Sequence, residues 1–169
     1  FNEFDLVNVE RFNGFIKLMI NGTASKPFNM GTYQLPRQTD RQQEIANAIP
    51  KFLGYQTGVL AVIDENKKVL KRIAISETSG GVAAMRSLEI SFYNIEISLD
   101  DKENYCVKAL RENRVYSTTQ LYDVLRPVIS EENSKKVQDM MGTQITLIYP
   151  IYSLNKKPLG TFLVSMDKT

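Results

Sequence analysis

The 169-residue chain has no histidine, no tryptophan and a single cysteine, Cys106. Without histidine, a Ser-His-Asp or Cys-His relay cannot be built and histidine-ligated zinc or haem has no ligand. The side chain that titrates nearest neutrality is missing as well. An enzyme on this chain would have to work with carboxylates, lysine, tyrosine and one thiol. One cysteine forms no intrachain disulfide, and with no secretory signal the expected setting is the cytoplasm. Long apolar runs are also lacking. The stretch Ile145-Thr146-Leu147-Ile148-Tyr149 falls far short of the ~20 residues a membrane-spanning helix needs, so no direct membrane insertion is expected. The chain opens on Phe1 rather than methionine, which leads us to expect a piece of a longer protein. Nor is there an excess of one charge, with 21 basic residues against 19 acidic ones. The basic residues fall in pairs (Lys67-Lys68, Lys71-Arg72, Lys135-Lys136, Lys156-Lys157) among acids. That pattern suits a solvated face, and nucleic acid is not an expected partner.

What is present suits one globular core, with 43% hydrophobic and 24% charged residues. A chain this long buries roughly 70% of its unfolded surface, so no disulfide or structural metal is required. Residues 26–39 hold Pro27, Gly31 and Pro36 and read as a connection. It separates residues 1–35, an N-terminal extension or the remnant of an upstream domain, from the main body at 36–169. Within the extension, residues 15–20, the turn dipeptide Asn21-Gly22 and residues 23–30 predict a β-hairpin. A competing amphipathic helix through Leu6, Val9, Phe12, Ile16 and Met19 is opposed by Gly14, at about 1 kcal/mol.

From Thr39 the signals sharpen. Thr39-Asp40-Arg41-Gln42 has the form of a capping box, and Ile45, Ile49, Phe52 and Leu53 follow at helical spacing, with Pro50 as a kink and Gly54 as a stop. Residues 58–63 and 69–76 read as an antiparallel pair joined by the polar turn at 64–68. Thr78-Ser79-Gly80-Gly81 lacks the lysine and spacing of a phosphate loop and reads as a flexible turn. Asp100 or Asp101 is expected to cap a helix through Tyr105, Val107, Ala109 and Leu110. Residues 115–118 are a strand candidate and 121–128 a loop. Ser130-Glu131-Glu132 opens a second helix that Gly142 closes. Acidic pairs at helix starts complement the dipole, so neither Asp100-Asp101 nor Glu131-Glu132 is read as a metal site. Residues 145–153 and 158–165 flank a turn and predict a terminal hairpin. The sum is an α/β chain of the α+β type, a central antiparallel β-sheet flanked by helices.

Three stretches carry a resemblance across residues 39–166. They are Leu60-Ala61-Val62-Ile63-Asp64, Asn104-Tyr105-Cys106-Val107-Lys108-Ala109-Leu110-Arg111-Glu112-Asn113, and Tyr149-Pro150-Ile151 followed by Leu159-Gly160. In order and spacing they resemble a GAF domain, within the GAF/PAS-like type of fold. The physical reading of Pro150 and Gly160 is hairpin geometry, an edge or bulge position and a strand entry where a side chain would crowd the opposing backbone.

The resemblance implies a pocket between the sheet and residues 76–99 and 116–130. Its candidate lining is Ser76, Phe92, Tyr93, Tyr105, Tyr122 and Asp123. Aromatic walls with a few polar groups suit a small planar ligand, and the same rings equally serve as core filling. The resemblance further implies a regulatory module of a signalling protein, such as a sensor histidine kinase, that binds a small molecule or a partner, pairs as a homodimer through flanking helices and is not itself an enzyme. No cofactor is expected. The region near Asn133 and Ser134 has neither the cysteine nor the histidine of bilin-binding members, and Cys106 reads as a small buried hydrophobe. The Asn-Lys-Phe-Asp-Glu signature of cyclic-nucleotide members does not assemble in order. One cysteine cannot serve as both nucleophile and resolving thiol, as the methionine-sulfoxide reductase branch requires. Two alternatives stand beside this reading. One is a scaffold whose pocket is filled by Phe92, Tyr93 or Tyr122; the other is an uncharacterised enzyme working through Tyr122 and Asp123.

Overall fold

The computed structural model describes residues 13–16, 19–20, 23–24, 28–31 and 38–167. The chain divides into two compact units, 1–38 and 39–169. In the first, β1 (Asn13–Ile16) pairs antiparallel with β4 (Phe28–Gly31), and β2 (Met19–Ile20) pairs with β3 (Thr23–Ala24). Ile20 faces Thr23, which leaves a two-residue connection. Its residues, Asn21 and Gly22, lie outside the described residues, as do Leu6, Val9 and Phe12 of the competing helix. Ile16 and Met19 lie in strands.

The second unit runs α1 (Gln38–Leu53), β5 (Thr57–Asp64), β6 (Val69–Ile75), α2 (Ser79–Ser87), a 3-10 turn (Phe92–Asn94), β7 (Glu96–Ser98), α3 (Tyr105–Glu112), β8 (Tyr116–Thr118), α4 (Tyr122–Leu125), α5 (Glu131–Met141), β9 (Ile145–Tyr152) and β10 (Pro158–Met166). Its strands form a six-stranded antiparallel sheet in the order β7-β6-β5-β10-β9-β8. The closing strand β10 therefore lies at the centre, held between β5 and β9.

Strand alternation sends successive side chains to opposite faces. On the front face Ala61, Leu70, Ile148 and Leu163 pack under Val107, Val124, Val137 and Met141 of α3, α4 and α5. On the back face Leu60, Ala74, Phe162 and Val164 pack with Ala46 of α1. Gly58 seats that helix: a Cβ there would fall 2.7 Å from Pro50 Cγ and 2.8 Å from the Ala46 carbonyl oxygen.

Local chemistry explains most boundaries. The Ser130 hydroxyl accepts from Asn133 N at 3.3 Å to open α5, and Gly142, at φ +67°, closes it. Pro150 faces Thr161, two residues beyond the last pairing of β9 with β8. There β9 is an edge, and a missing N–H leaves no neighbouring carbonyl unsatisfied. A Cβ on Gly160 would stand 2.0 Å from the Ala61 carbonyl oxygen, so the central hairpin requires glycine there.

Three sequence expectations are corrected. Thr78-Ser79-Gly80-Gly81 is no flexible turn: Thr78 caps α2, its Oγ1 accepting from Gly81 N at 3.2 Å. Gly81 is there for close approach, since its Cβ would lie 1.9 Å from the Ser76 carbonyl oxygen. Asn104, not Asp100 or Asp101, caps α3, its Oδ1 accepting from Cys106 N at 2.9 Å. Asp101 instead closes the preceding turn by accepting from Glu103 N at 2.9 Å. Residues 121–128, expected to be a loop, contain the single helical turn α4. Among the described residues no helix is long and apolar enough to cross a membrane.

Candidate functional site

Register places a row of hydroxyls across one end of the front face. Thr57 faces Ser165, Ser165 faces Thr146 and Thr146 faces Thr118, so β5, β10, β9 and β8 each contribute one. The next row on that face is Val59, Leu163, Ile148 and Tyr116. Thr146 Oγ1 and Ser165 Oγ share a hydrogen bond of 3.0 Å. Thr57 Oγ1 is buried and has no partner among the described residues.

A break in the β5–β6 pairing delivers a charged residue to the same face. Leu60 faces Ala74 but Ala61 faces Arg72, so Ile73 is an extra residue, a β-bulge. Before the bulge Leu70 and Arg72 point to the front, and after it Ile75 does, while Ala74 joins the back cluster. Arg72 is only 2% exposed. Its Nη2 donates to the Val124 carbonyl at 2.8 Å and approaches Cys106 Sγ at 3.7 Å. The Val124 carbonyl is free to accept because α4 ends at once, with the Val128 and Ile129 amides turned to Leu125 O. Arg72 Nη1 has no partner among the described residues.

Between this floor and the helices lies a cavity of about 50 Å³. Arg72, Thr57, Thr146 and Ser165 border it, but its accessible wall is almost wholly apolar, with Ala84, Phe92, Val124, Val137 and Met141 among the side chains from α2, α4, α5 and their flanks that line it. No carboxylate lines it. That volume holds about three or four water-sized groups.

Of the six residues the sequence pointed to, Phe92 lines this chamber, buried at 6% exposure. The rest are dispersed over other surfaces. Tyr93 stands edge-on to Phe92 at 5.3 Å and is 45% exposed; with Ser76 it borders a separate recess of about 80 Å³ beside Gln43 and Glu77. Ser76 Oγ accepts from Gly58 N at 3.0 Å and meets Thr78 Oγ1 at 2.9 Å, which ties the end of β6 to β5 and α2. Tyr105 packs edge-on against Tyr116 at 5.4 Å and carries Lys108 over its ring at 5.0 Å. It shares an open polar cleft with Asp123, whose carboxylate accepts from Thr118 Oγ1. Tyr122 borders a different cleft with Glu131, Lys135 and Asp139, its ring under the Arg126 guanidinium at 5.6 Å. Among the described residues no group of three or more Cys, Asp or Glu side chains gathers to hold a metal.

Sequence reasoning missed Arg72 and the hydroxyl row. In the sequence Arg72 reads as half of an exposed basic pair with Lys71. Its alternation in phase with Leu70 was the available signal, a charge at a core position of a strand.

No protein-family model and no curated protein matches the chain. Solved structures do resemble it. The GAF domain of a phosphoenolpyruvate-protein phosphotransferase from Coxiella burnetii aligns with a TM-score of 0.56 at 11% identity, covering 79% of this chain and 69% of that one. The corresponding GAF domain from Acinetobacter gives 0.51 at 12% identity, with 77% and 66% covered. A NreA protein of Staphylococcus aureus, mutated in its nitrate binding site, gives 0.51 at 17% identity, with 76% and 85% covered. At such identities the likeness is one of architecture, and the architecture is plain: this chain has a GAF-like fold.

Proposed function

We propose that the unit beginning near Thr39 is a sensory or regulatory domain. It takes a small ligand into the chamber between the sheet and helices α2, α4 and α5, and passes its occupancy to a neighbouring domain. The observation that carries this reading is the chamber of about 50 Å³ that α2, α4 and α5 share with the sheet, beside a buried guanidinium whose Nη1 has no partner among the described residues. A core built for stability alone leaves few buried polar atoms without partners. A ligand touching α2, α4 and α5 at once favours one arrangement of these helices over another, which is the physical requirement for a signal. The fold supports the reading by analogy, since the Staphylococcus aureus neighbour has a nitrate binding site and others are GAF domains of phosphotransferases.

The reading is non-enzymatic because the chamber's wall is almost wholly apolar with no carboxylate in its lining, and the chain has no histidine. A general base is therefore missing from its wall. Phe92 lines the space without filling it, and Tyr93 and Tyr122 lie outside its lining, which favours an open chamber over a filled scaffold.

Thermal denaturation of the chain against a panel of small metabolites and inorganic ions tests this. A ligand at a hundred times its Kd adds about 2.7 kcal/mol of stability, a plain rise in midpoint. A flat response across every compound small enough to enter refutes the sensory reading.

A further inference from the structure

We infer that the chamber takes an uncharged, apolar molecule of at most about four heavy atoms, a dissolved gas or a short hydrocarbon, held by shape and dispersion and by no hydrogen bond. This rests on the sensory reading above and adds the chemistry of the guest. Ile75 of β6, Ala84 of α2, Val124 of α4, Val137 and Met141 of α5 and Leu163 of β10 line the space. The polar groups on its border are engaged elsewhere or covered. Arg72 Nη2 donates to the Val124 carbonyl at 2.8 Å, and Thr146 and Ser165 bond to each other at 3.0 Å. Arg72 Nη1 and Thr57 Oγ1 are themselves buried, so neither presents a donor to a guest. The surface that does face the space is almost wholly apolar.

Such a wall discriminates between guests by what each must give up. An ordered water needs about two to four polar partners, and an ion or a polar metabolite would shed its hydration and find no replacement here. An apolar molecule loses no hydrogen bond on entry. It also restores the dispersion contacts that lining atoms lack across an empty space. The volume of about 50 Å³ then sets the upper limit on size and shuts out a nucleotide. Every residue of the wall is buried except Val59 and Leu88, which are half-buried, so the guest is nearly enclosed and its affinity depends on fit. Because α2, α4 and α5 all contribute to that enclosure, filling it favours the arrangement in which the three helices close on the sheet. The recess between α1 and the back face, lined by Ile45, Leu53, Tyr149 and Phe162 among others, is apolar too. There Ile45, Leu53 and Tyr149 are exposed and water has access, which makes it the internal control.

The test is thermal denaturation of the whole chain in sealed cells under xenon, propane and 2-methylpropene, which join the panel above as its apolar members. Nitrogen is the reference gas. Acetone has the size and planar shape of 2-methylpropene, so that pair differs in polarity alone. The expected result is a saturable rise in midpoint with xenon and both hydrocarbons, and none with acetone or with benzene, which is too large. Under xenon the methyl resonances of Ala84, Val137 and Leu163 are expected to move, while those of Leu60 and Val164 on the back face stay in place. Ala84→Leu fills the space from α2; it is expected to hold or raise the midpoint without guest and to abolish the response. Should that variant not fold, Val59→Ile adds one methyl to the wall and is expected to weaken hydrocarbon binding about tenfold or more. An undiminished response in Ala84→Leu, or in Val59→Ile where the first does not fold, overturns the assignment. Resonance shifts confined to the back face overturn it too, as does acetone matching 2-methylpropene. An absent response to xenon and both hydrocarbons also overturns it; the sensory reading then survives if another member of the panel stabilises the chain, and falls if none does.

Discussion

The two faces of the central sheet are made from the same strands, alternate residue by alternate residue, yet they are built of different material. The back face packs Leu60, Ala74, Phe162 and Val164 with Ala46 of α1, and none of the buried side-chain polar atoms without a partner among the described residues belongs to that cluster. The front face carries Thr57 Oγ1, Arg72 Nη1 and Thr161 Oγ1, buried polar atoms with no partner among the described residues, and Ser134 Oγ of α5 above it adds another. Each such atom costs about 1–3 kcal/mol in desolvation that nothing returns. A fold selected only to stay folded would have made both faces like the back. The back face shows what stability asks of this sheet, and the front shows what has been kept despite it.

Each face rests its helix on a glycine, and those glycines give the largest expected effects. Gly81→Ala drives a Cβ to 1.9 Å from the Ser76 carbonyl oxygen, a backbone atom that cannot step aside without lifting α2 off the sheet. A loss of about 3 kcal/mol or more is expected in urea denaturation, together with the loss of any ligand response. Gly58→Ala presses on Pro50 and the Ala46 carbonyl at 2.7–2.8 Å, where α1 has more freedom to shift. About 1–3 kcal/mol is expected, with the ligand response intact. Equal losses, or a ligand response lost in both, would mean that the two faces are mechanically one.

Phe162 and Leu163 are neighbours on β10 that point to opposite faces, and they are 6% and 4% exposed. Phe162→Ala is expected to cost about 3–5 kcal/mol and Leu163→Ala about 2–5 kcal/mol. Leu163 lines the chamber and Phe162 does not. Truncating Leu163 alone should therefore let larger guests stabilise the protein, read as a change in rank order across a series of ligands of increasing size. If Phe162→Ala produced the same change, ligand access through the back face would have to be admitted.

The parts legible in the sequence were those that a few adjacent residues decide. Ser130 and Gly142 bound α5, Asp64 at the end of β5 accepts from Asn66 N and Lys67 N to fold the turn that leads to β6, and the alternation after Ile145 makes the closing hairpin. The chamber was not legible because its parts meet only through register. Thr57, Thr118, Thr146 and Ser165 come from four strands, and no local pattern marks them as one row. Arg72 is hidden twice over, once by the exposed Lys71 beside it and once by a bulge that exists only when β6 is paired with β5. The glycines at 80 and 81 were misread for a related reason. A glycine that permits close approach and one that permits flexibility look alike until the opposing backbone is known. The aromatics do not share one site: Phe92 lines the chamber, while Tyr93, Tyr105 and Tyr122 stand at other surfaces.

The finest contrast lies within the front face itself, between two threonines whose hydroxyls differ only in having a partner. Thr146 Oγ1 is bonded to Ser165 Oγ at 3.0 Å, so Thr146→Val strands the serine hydroxyl in a buried site and should cost about 1–2 kcal/mol. Thr161 Oγ1 is buried and has no partner among the described residues. Thr161 lies in the row of Ala61 and Arg72 and does not line the chamber. Thr161→Val replaces an unused hydroxyl by a methyl of nearly the same volume, and should stabilise by about 1 kcal/mol while leaving ligand affinity unchanged. The opposite signs are what matter, since both changes swap the same atoms on the same sheet face. Two losses of equal size in urea denaturation would show that Thr161 has a partner after all. The polar excess of the front face would then belong to the framework, with only Arg72 Nη1 and Thr57 Oγ1 of the sheet left without partners among the described residues.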